Sequence, residues 1–240
     1  MKDELKNLAL SEGISAFGAG DIEDLRQHFD ALPPEQTEGL SYGISLAVQV
    51  SDAVLKGVIT GPTRHYLHHY KMLNLLLDQT ALKLTLAIQQ AGYRALPIPA
   101  SQIVDWEKQT AHLSHKMIAV RTGIGWIGRN NLLVHPEFGS KIRLATILTD
   151  MPLKMENPVE TNPQNLSISS KNFSSPSFEK IPSLPPFDKG GLGGIFKRRT
   201  EEFPDAQKCG NCRKCIEICP VSAIKEDYRE WDKTACLEKL

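Results

Sequence analysis

The chain has 240 residues, 41% of them apolar and 23% charged, and its 28 lysines and arginines balance 28 aspartates and glutamates. That length allows one ordinary domain plus a small module, and zero net charge gives no global pull toward nucleic acid or a membrane surface. No run of 18 apolar residues occurs, the N-terminus Met1-Lys2-Asp3-Glu4 lacks the order of an export signal, and all five cysteines fall within 209–236, which together predict a reducing, cytoplasmic setting with no membrane partner.

Residues 2–12 read as a short amphipathic helix with Leu5, Leu8 and Leu10 on its apolar side and Gly13 as its stop. A strand is predicted over 14–17, ended by Gly18-Ala19-Gly20-Asp21. Tyr42, Ile44, Leu46, Val48 and Val50 alternate with Gly43, Ser45, Ala47 and Gln49. Period two predicts a strand, and the small residues on its second face predict helices or a ligand packed close there. The longest element is a helix from Pro62-Thr63 to Ala91, closed by Gly92. Its buried face is drawn by Tyr66, Tyr70, Leu73, Leu77, Thr80, Leu84, Ile88 and Ala91, three or four residues apart. A strand over 93–98 and a helix over 111–121 follow. Then come two strand-like runs, 131–135 and 142–149, which the turn Pro136-Glu137-Phe138-Gly139 would join as a hairpin. Helices and strands are mixed rather than regularly alternating, which predicts α+β or an α/β/α sandwich and not a doubly wound sheet.

Residues 157–199 are crowded with proline and serine and have no helical or strand period. They read as a linker or disordered insertion, so the chain divides into an N-terminal domain (1–152), an insertion (153–204) and a C-terminal module (205–240). The tract Gly190-Gly191-Leu192-Gly193-Gly194 lacks the Gly-Lys-Ser/Thr ending of a phosphate loop and no strand precedes it.

Two segments carry chemistry. In Gly123-Ile124-Gly125-Trp126-Ile127-Gly128-Arg129-Asn130-Asn131, glycines alternate with bulky residues. The backbone there must approach something closely while Trp126 offers a flat apolar surface; a structural turn and a cofactor contact account for this equally. Downstream, Cys209, Cys212, Cys215 and Cys219 followed by Pro220 have the C-x2-C-x2-C-x3-C-P spacing that holds [4Fe–4S] clusters, with the fourth cysteine expected at the start of a helix. Soft thiolates suit such clusters. Zinc or disulfide readings are weaker: structural zinc sites pair separated C-x2-C units or add histidines, and no histidine follows His135. Among the histidines, His65 and His69 lie four apart on the long helix, as a metal pair would, although no Glu-x-x-His partner accompanies them and solvated or core-edge histidines are the blander reading.

The Gly-Trp-Ile-Gly-basic-Asn segment, the run ending in Leu148-Thr149-Asp150 and the cysteine run together resemble the epoxyqueuosine reductase family, over about 1–152 and 205–240. The resemblance implies a cobalamin-binding domain followed by a ferredoxin-like module. Electrons would pass from a reduced donor, such as ferredoxin or flavodoxin, through 4Fe–4S clusters to cobalt and then to a substrate. It implies Gly125, Trp126, Gly128 and Arg129 at the corrin, Cys209, Cys212 and Cys215 on a first cluster, and Cys219 with Cys236 as half of a second. The family's further cysteine run is not present before Leu240, which makes a truncated inactive paralogue one alternative; a non-catalytic ferredoxin-type carrier, whose N-terminal domain only docks a partner, is the other. The family's Asp-Ser pair corresponds here to Ala100-Ser101, without a carboxylate, which makes His112 and His115 candidate proton donors. The family's tRNA-binding helical repeats are not found either, leaving the substrate unassigned and tRNA doubtful.

Overall fold

The computed structural model describes residues 1–29, 31–59, 61–104, 111–153 and 208–239. The expected insertion falls almost wholly outside the described residues. Helix α1 (Lys2–Ser11) leads into β1 (Ala16–Asp21), a 3-10 turn (Glu23–His28), α2 (Pro34–Thr37) and β2 (Tyr42–Gln49). Next come α3 (Asp52–Lys56), the 27-residue α4 (Arg64–Gln90) and β3 (Ala95–Ile98). Helix α5 (His115–Arg121), β4 (Trp126–Ile127), β5 (Leu133–Val134) and β6 (Ile142–Thr149) complete the N-terminal unit. The C-terminal module holds α6 (Lys214–Ile218), a 3-10 turn (Tyr228–Glu230) and α7 (Lys233–Lys239).

Four strands form one antiparallel sheet in the order β1-β2-β6-β3. Alternation along β2 and β6 sends side chains to two cores. Ile44, Leu46, Val48, Ala145 and Ile147 meet α1 and α4 through Leu5, Ala9, Leu77, Leu84 and Ile88. On the opposite face, Leu148 packs with Ile22, Met117 and Ile118, and Ala47 and Leu144 pack with Ala119, Ile124, Ile127 and Leu133. The small second face of β2 has its cause here: a Cβ at Gly43 would stand 3.0 Å from Ile118 Cγ2 and 3.2 Å from Ile22. Met151 and Leu153 belong to the first core, Leu153 lying one residue past the expected boundary at 152.

Helix α4 matches its periodic pattern. Thr63 Oγ1 accepts the Tyr66 amide at 3.0 Å as N-cap, and Gly92 (φ 88°) turns the chain out at the other end. Four other expectations are corrected. Leu10 of α1 is exposed and Ala9 is buried in its stead, because α4 closes over the Leu5–Ala9 side. Gly18-Ala19-Gly20-Asp21 continues β1 rather than ending it; a Cβ at Gly18 would lie 2.5 Å from the Thr122 carbonyl oxygen, so the turn after α5 demands the small residue. Helix α5 begins only at His115. Finally, β5 pairs with β4 and not with β6. His135 and Gly139 close a tight loop by mutual hydrogen bonds of 2.9 Å, and the chain then leaves to place β6 between β2 and β3, where both of its edges are satisfied.

Candidate functional site

The β4–β5 hairpin is built from the glycine-rich segment. A Cβ at Gly125 would stand 2.2 Å from the Val134 carbonyl oxygen, and one at Gly128 would stand 2.8 Å from both Asn130 Oδ1 and Val134 Cγ2. Both glycines therefore serve close approach of the chain to itself. The Gly128 amide donates to Leu132 O (2.9 Å), and Asn131 (φ 56°) donates to Gly128 O (2.8 Å). Asparagine tolerates that left-handed backbone. Lys116 of α5 supports the turn, its Nζ donating to Asn131 O at 2.6 Å and to Asn131 Oδ1 at 3.1 Å. Burial pulls the Lys116 pKa down to about 8. Half-buried Trp126 keeps an indole Nε1 that is shielded from solvent and has no hydrogen-bond partner, and Lys208 Nζ stands 6.0 Å from its ring centroid.

Arg129 joins this hairpin to the cysteine segment. Its Nη2 donates to Gly210 O at 2.9 Å, Nη1 to Cys212 O at 2.6 Å and Nε to Glu226 O at 2.8 Å. The Glu226 carboxylate lies 3.4 Å from Nε and also pairs with Arg213. Tyr228 adds an apolar contact, packing on the core of Ala47, Ile127 and Leu133.

In the cysteine segment, Gly210 (φ 52°) lets the Cys212 amide reach Cys209 O at 3.1 Å, and Cys215 lies in α6. Cys219 ends α6 with an extended backbone (φ −68°, ψ 111°), rather than starting a helix. Pro220 is the reason, since a residue before proline is pushed out of the helical region. The Cys215 thiol is raised by burial, then by the neighbouring charges of Cys209 and Cys212. Cys219 belongs to other surroundings: burial raises its thiol, but the backbone amides of Ile224, Val221, Ala223 and Ser222 outweigh it and the net direction is down. The Ala223 amide donates to Cys219 Sγ at 3.3 Å. Asp232 ties α7 to this turn, its amide donating to Ala223 O (2.8 Å) and its carboxylate accepting from the Ala235 amide (2.9 Å). Cys236 on α7 is raised by burial, then by Cys219 and Asp232. The charges of Cys209 and Cys212 thus bear on Cys215, and that of Cys219 bears on Cys236.

The histidine candidates fare differently. His69 Nε2 accepts the Ser51 amide at 3.1 Å, so it is used to join α4 to the end of β2. Among the described residues, no three His, Cys, Asp or Glu side chains converge to hold one metal ion. His115 Nε2 must donate to Pro99 O (2.9 Å), which leaves Nδ1 to accept from Thr146 Oγ1 (2.8 Å). Desolvation lowers its pKa to about 4. A neutral imidazole with both nitrogens engaged is a latch between α5, β6 and the end of β3, and it is a poor acid near neutral pH. His112 Nε2 contacts Gln102 Oε1 at 3.1 Å, while its Nδ1 is buried without a partner.

One polar group escaped sequence reasoning. Tyr70, Asn74 and Asp78 lie four apart on α4. Arg143 of β6 donates to Tyr70 OH (2.8 Å) and Asn74 Oδ1 (3.1 Å), Tyr70 meets Ser101 Oγ (2.7 Å), and Asp78 accepts the Ala100 amide (2.8 Å). The i, i+4, i+8 polar spacing beside the apolar face was its available signal.

Residues 203–225 match the 4Fe-4S binding domain family. The epoxyqueuosine reductase of Pseudomonas aeruginosa is 25% identical over 96% of this chain and 51% of its own length. That of Listeria monocytogenes is 43% identical over 48% of this chain and 18% of its own. The chain spans no more than about half the length of these relatives. In fold it is similar to the catabolic reductive dehalogenase NpRdhA (TM-score 0.60, 16% identity, 92% of this chain and 25% of that one). It is also similar to the epoxyqueuosine reductase of Streptococcus thermophilus (TM-score 0.53, 17% identity, 98% and 56%). With helices and strands mixed in the N-terminal unit and a 4Fe-4S binding domain behind it, the chain is similar in sequence and in fold to the epoxyqueuosine reductases.

Proposed function

We propose that this chain is an iron–sulfur oxidoreductase of the epoxyqueuosine reductase-like kind. In this reading, the thiolates of Cys209, Cys212, Cys215 and Cys219 serve 4Fe–4S chemistry. The N-terminal unit, an α/β/α sandwich of cobalamin-binding type, houses a reduction fed by a reduced carrier such as a ferredoxin or flavodoxin. The observation that carries the reading is the placing of Cys215 in electrostatic reach of both Cys209 and Cys212, on a segment matching a 4Fe-4S binding domain. The donor set fits the group: a cubane offers a separate iron to each thiolate, so neighbouring sulfurs need not converge on one point as they would for zinc. When bound, such a cluster supplies one-electron transfer. The chain's own part is to hold the sulfurs, to surround Cys219 with backbone amides that favour its thiolate, and to fasten the loop through Arg129.

Support for cobalamin comes from the shared fold, one reductive dehalogenase structure of which is described as suggesting a mechanism for B12-dependent dehalogenation. Of the four residues assigned to the corrin, Trp126 keeps an unpartnered indole N–H, whereas Gly125 and Gly128 face the chain's own hairpin and Arg129 faces the cysteine loop. That commitment favours a second reading, a non-catalytic ferredoxin-type carrier whose N-terminal unit docks a partner. Among the described residues, no helix is long and apolar enough to cross a membrane.

Anaerobic reconstitution of the full chain with iron, sulfide and cobalamin separates the readings. About four iron and four sulfide per chain with bound corrin supports the oxidoreductase. A cluster without corrin affinity supports the carrier, and tight zinc with no iron overturns both. Cys215→Ser is expected to abolish the visible absorbance and EPR signal of the cluster.

A further inference from the structure

We infer that Arg129 is a positioning residue that holds the cysteine loop in its ligating shape before any iron arrives, and that its charge sets the electron affinity of the cluster assembled there. The inference rests on the iron–sulfur reading above. One guanidinium reaches both ends of the segment: Gly210 directly follows the first cysteine, Cys212 is the second, and Glu226 lies seven residues beyond Cys219. The side chain is only 15% exposed, so the three carbonyls it satisfies have little water to replace it. Three bonds from one planar fork to three carbonyls are a geometry that an ammonium on a flexible stem cannot reproduce.

The base of this clamp is rigid. Arg129 leaves the hairpin next to Gly128, whose amide and carbonyl are both bonded within the turn, and Lys116 anchors that turn to α5 on the sheet. The loop is thereby tied to the packed N-terminal core through one arm. The charge has a second consequence. Cluster potentials respond to net charge and hydrogen bonding in their surroundings, and a cation beside the loop favours the reduced, more negative cluster. Glu226 offsets part of that charge, because its carboxylate also faces Arg213.

Two substitutions separate position from charge. Arg129→Lys keeps the cation but loses the fork; Arg129→Gln loses both. Hydrogen exchange is measured on the full chain before and after anaerobic loading, with the cluster potential measured on the loaded forms. Both variants are expected to speed amide exchange over 209–222 in the unloaded chain by about tenfold or more, the scale of one lost charged hydrogen bond. Exchange in α4 and β2 should stay as in the wild type. Only Arg129→Gln is expected to shift the potential to clearly more negative values. Unchanged exchange over 209–222, or equal losses in α4 and β2, would overturn the positioning role. Equal potentials in the wild type and Arg129→Gln would overturn the electrostatic one. Failure of the wild type to assemble any cluster counts against the iron–sulfur reading instead, and the exchange data then judge the clamp by themselves.

Discussion

Acid should weaken the N-terminal unit through His115. Its neutral ring donates to Pro99 O and accepts from Thr146, and desolvation lowers its pKa from 6.5 to about 4. Below 6.5 the unfolded chain takes up a proton that the folded chain refuses. The stabilisation is therefore complete above pH 6.5 and is lost progressively as pH falls to about 4. At ~1.4 kcal/mol for each tenfold change in proton affinity, the full interval corresponds to about 3 kcal/mol. Part of the residue remains in contact with water, and screening reduces the expected loss to about 1–2 kcal/mol. Urea unfolding of the wild type and of His115→Gln, followed by circular dichroism at steps from pH 7 to 4, isolates this group from the carboxylates. Glutamine keeps a donor and an acceptor but does not titrate. The wild type should lose this increment relative to the variant between pH 6.5 and 4. Parallel stability curves would refute the argument that His115 is a desolvated latch.

Gly125→Ala should destabilise the chain without any cofactor by about 1–3 kcal/mol, the usual range for overpacking, because its Cβ would stand 2.2 Å from the Val134 carbonyl oxygen. Thermal melting of the unloaded protein checks this, and an unchanged midpoint would reopen the case for a cofactor at that glycine. Replacing residues 157–199 with a short Gly/Ser linker should leave the melting midpoint and iron content nearly unchanged, since doubling a loop's length costs only ~0.6 kcal/mol. A large fall in either would show that the segment contributes to the fold or to cluster assembly.

Local patterns were legible where local physics governs. The 3.6-residue period, Thr63 and Gly92 delimit α4 because capping and one-sided burial act within a few residues of the chain. The alternation over residues 42–50 likewise identifies β2 as a strand with one face closely packed. The cysteine spacing is legible for the same reason: cysteines three and four residues apart lie on one short segment. Partners distant in sequence were not legible. Nothing along the chain says that β6 enters between β2 and β3, so the turn at 136–139 reads as a hairpin joining the wrong strands. Gly125 and Gly128 signal close approach in the sequence, but only the assembled fold identifies the neighbours as Val134 and Asn130, and Gly18, read there as the end of a strand, proves to pack against Thr122. Arg129 marks the same divide. Its charge is visible in the sequence, whereas its three carbonyl partners lie 81 to 97 residues away and come within reach in the folded chain, where Tyr228 packs on the N-terminal core.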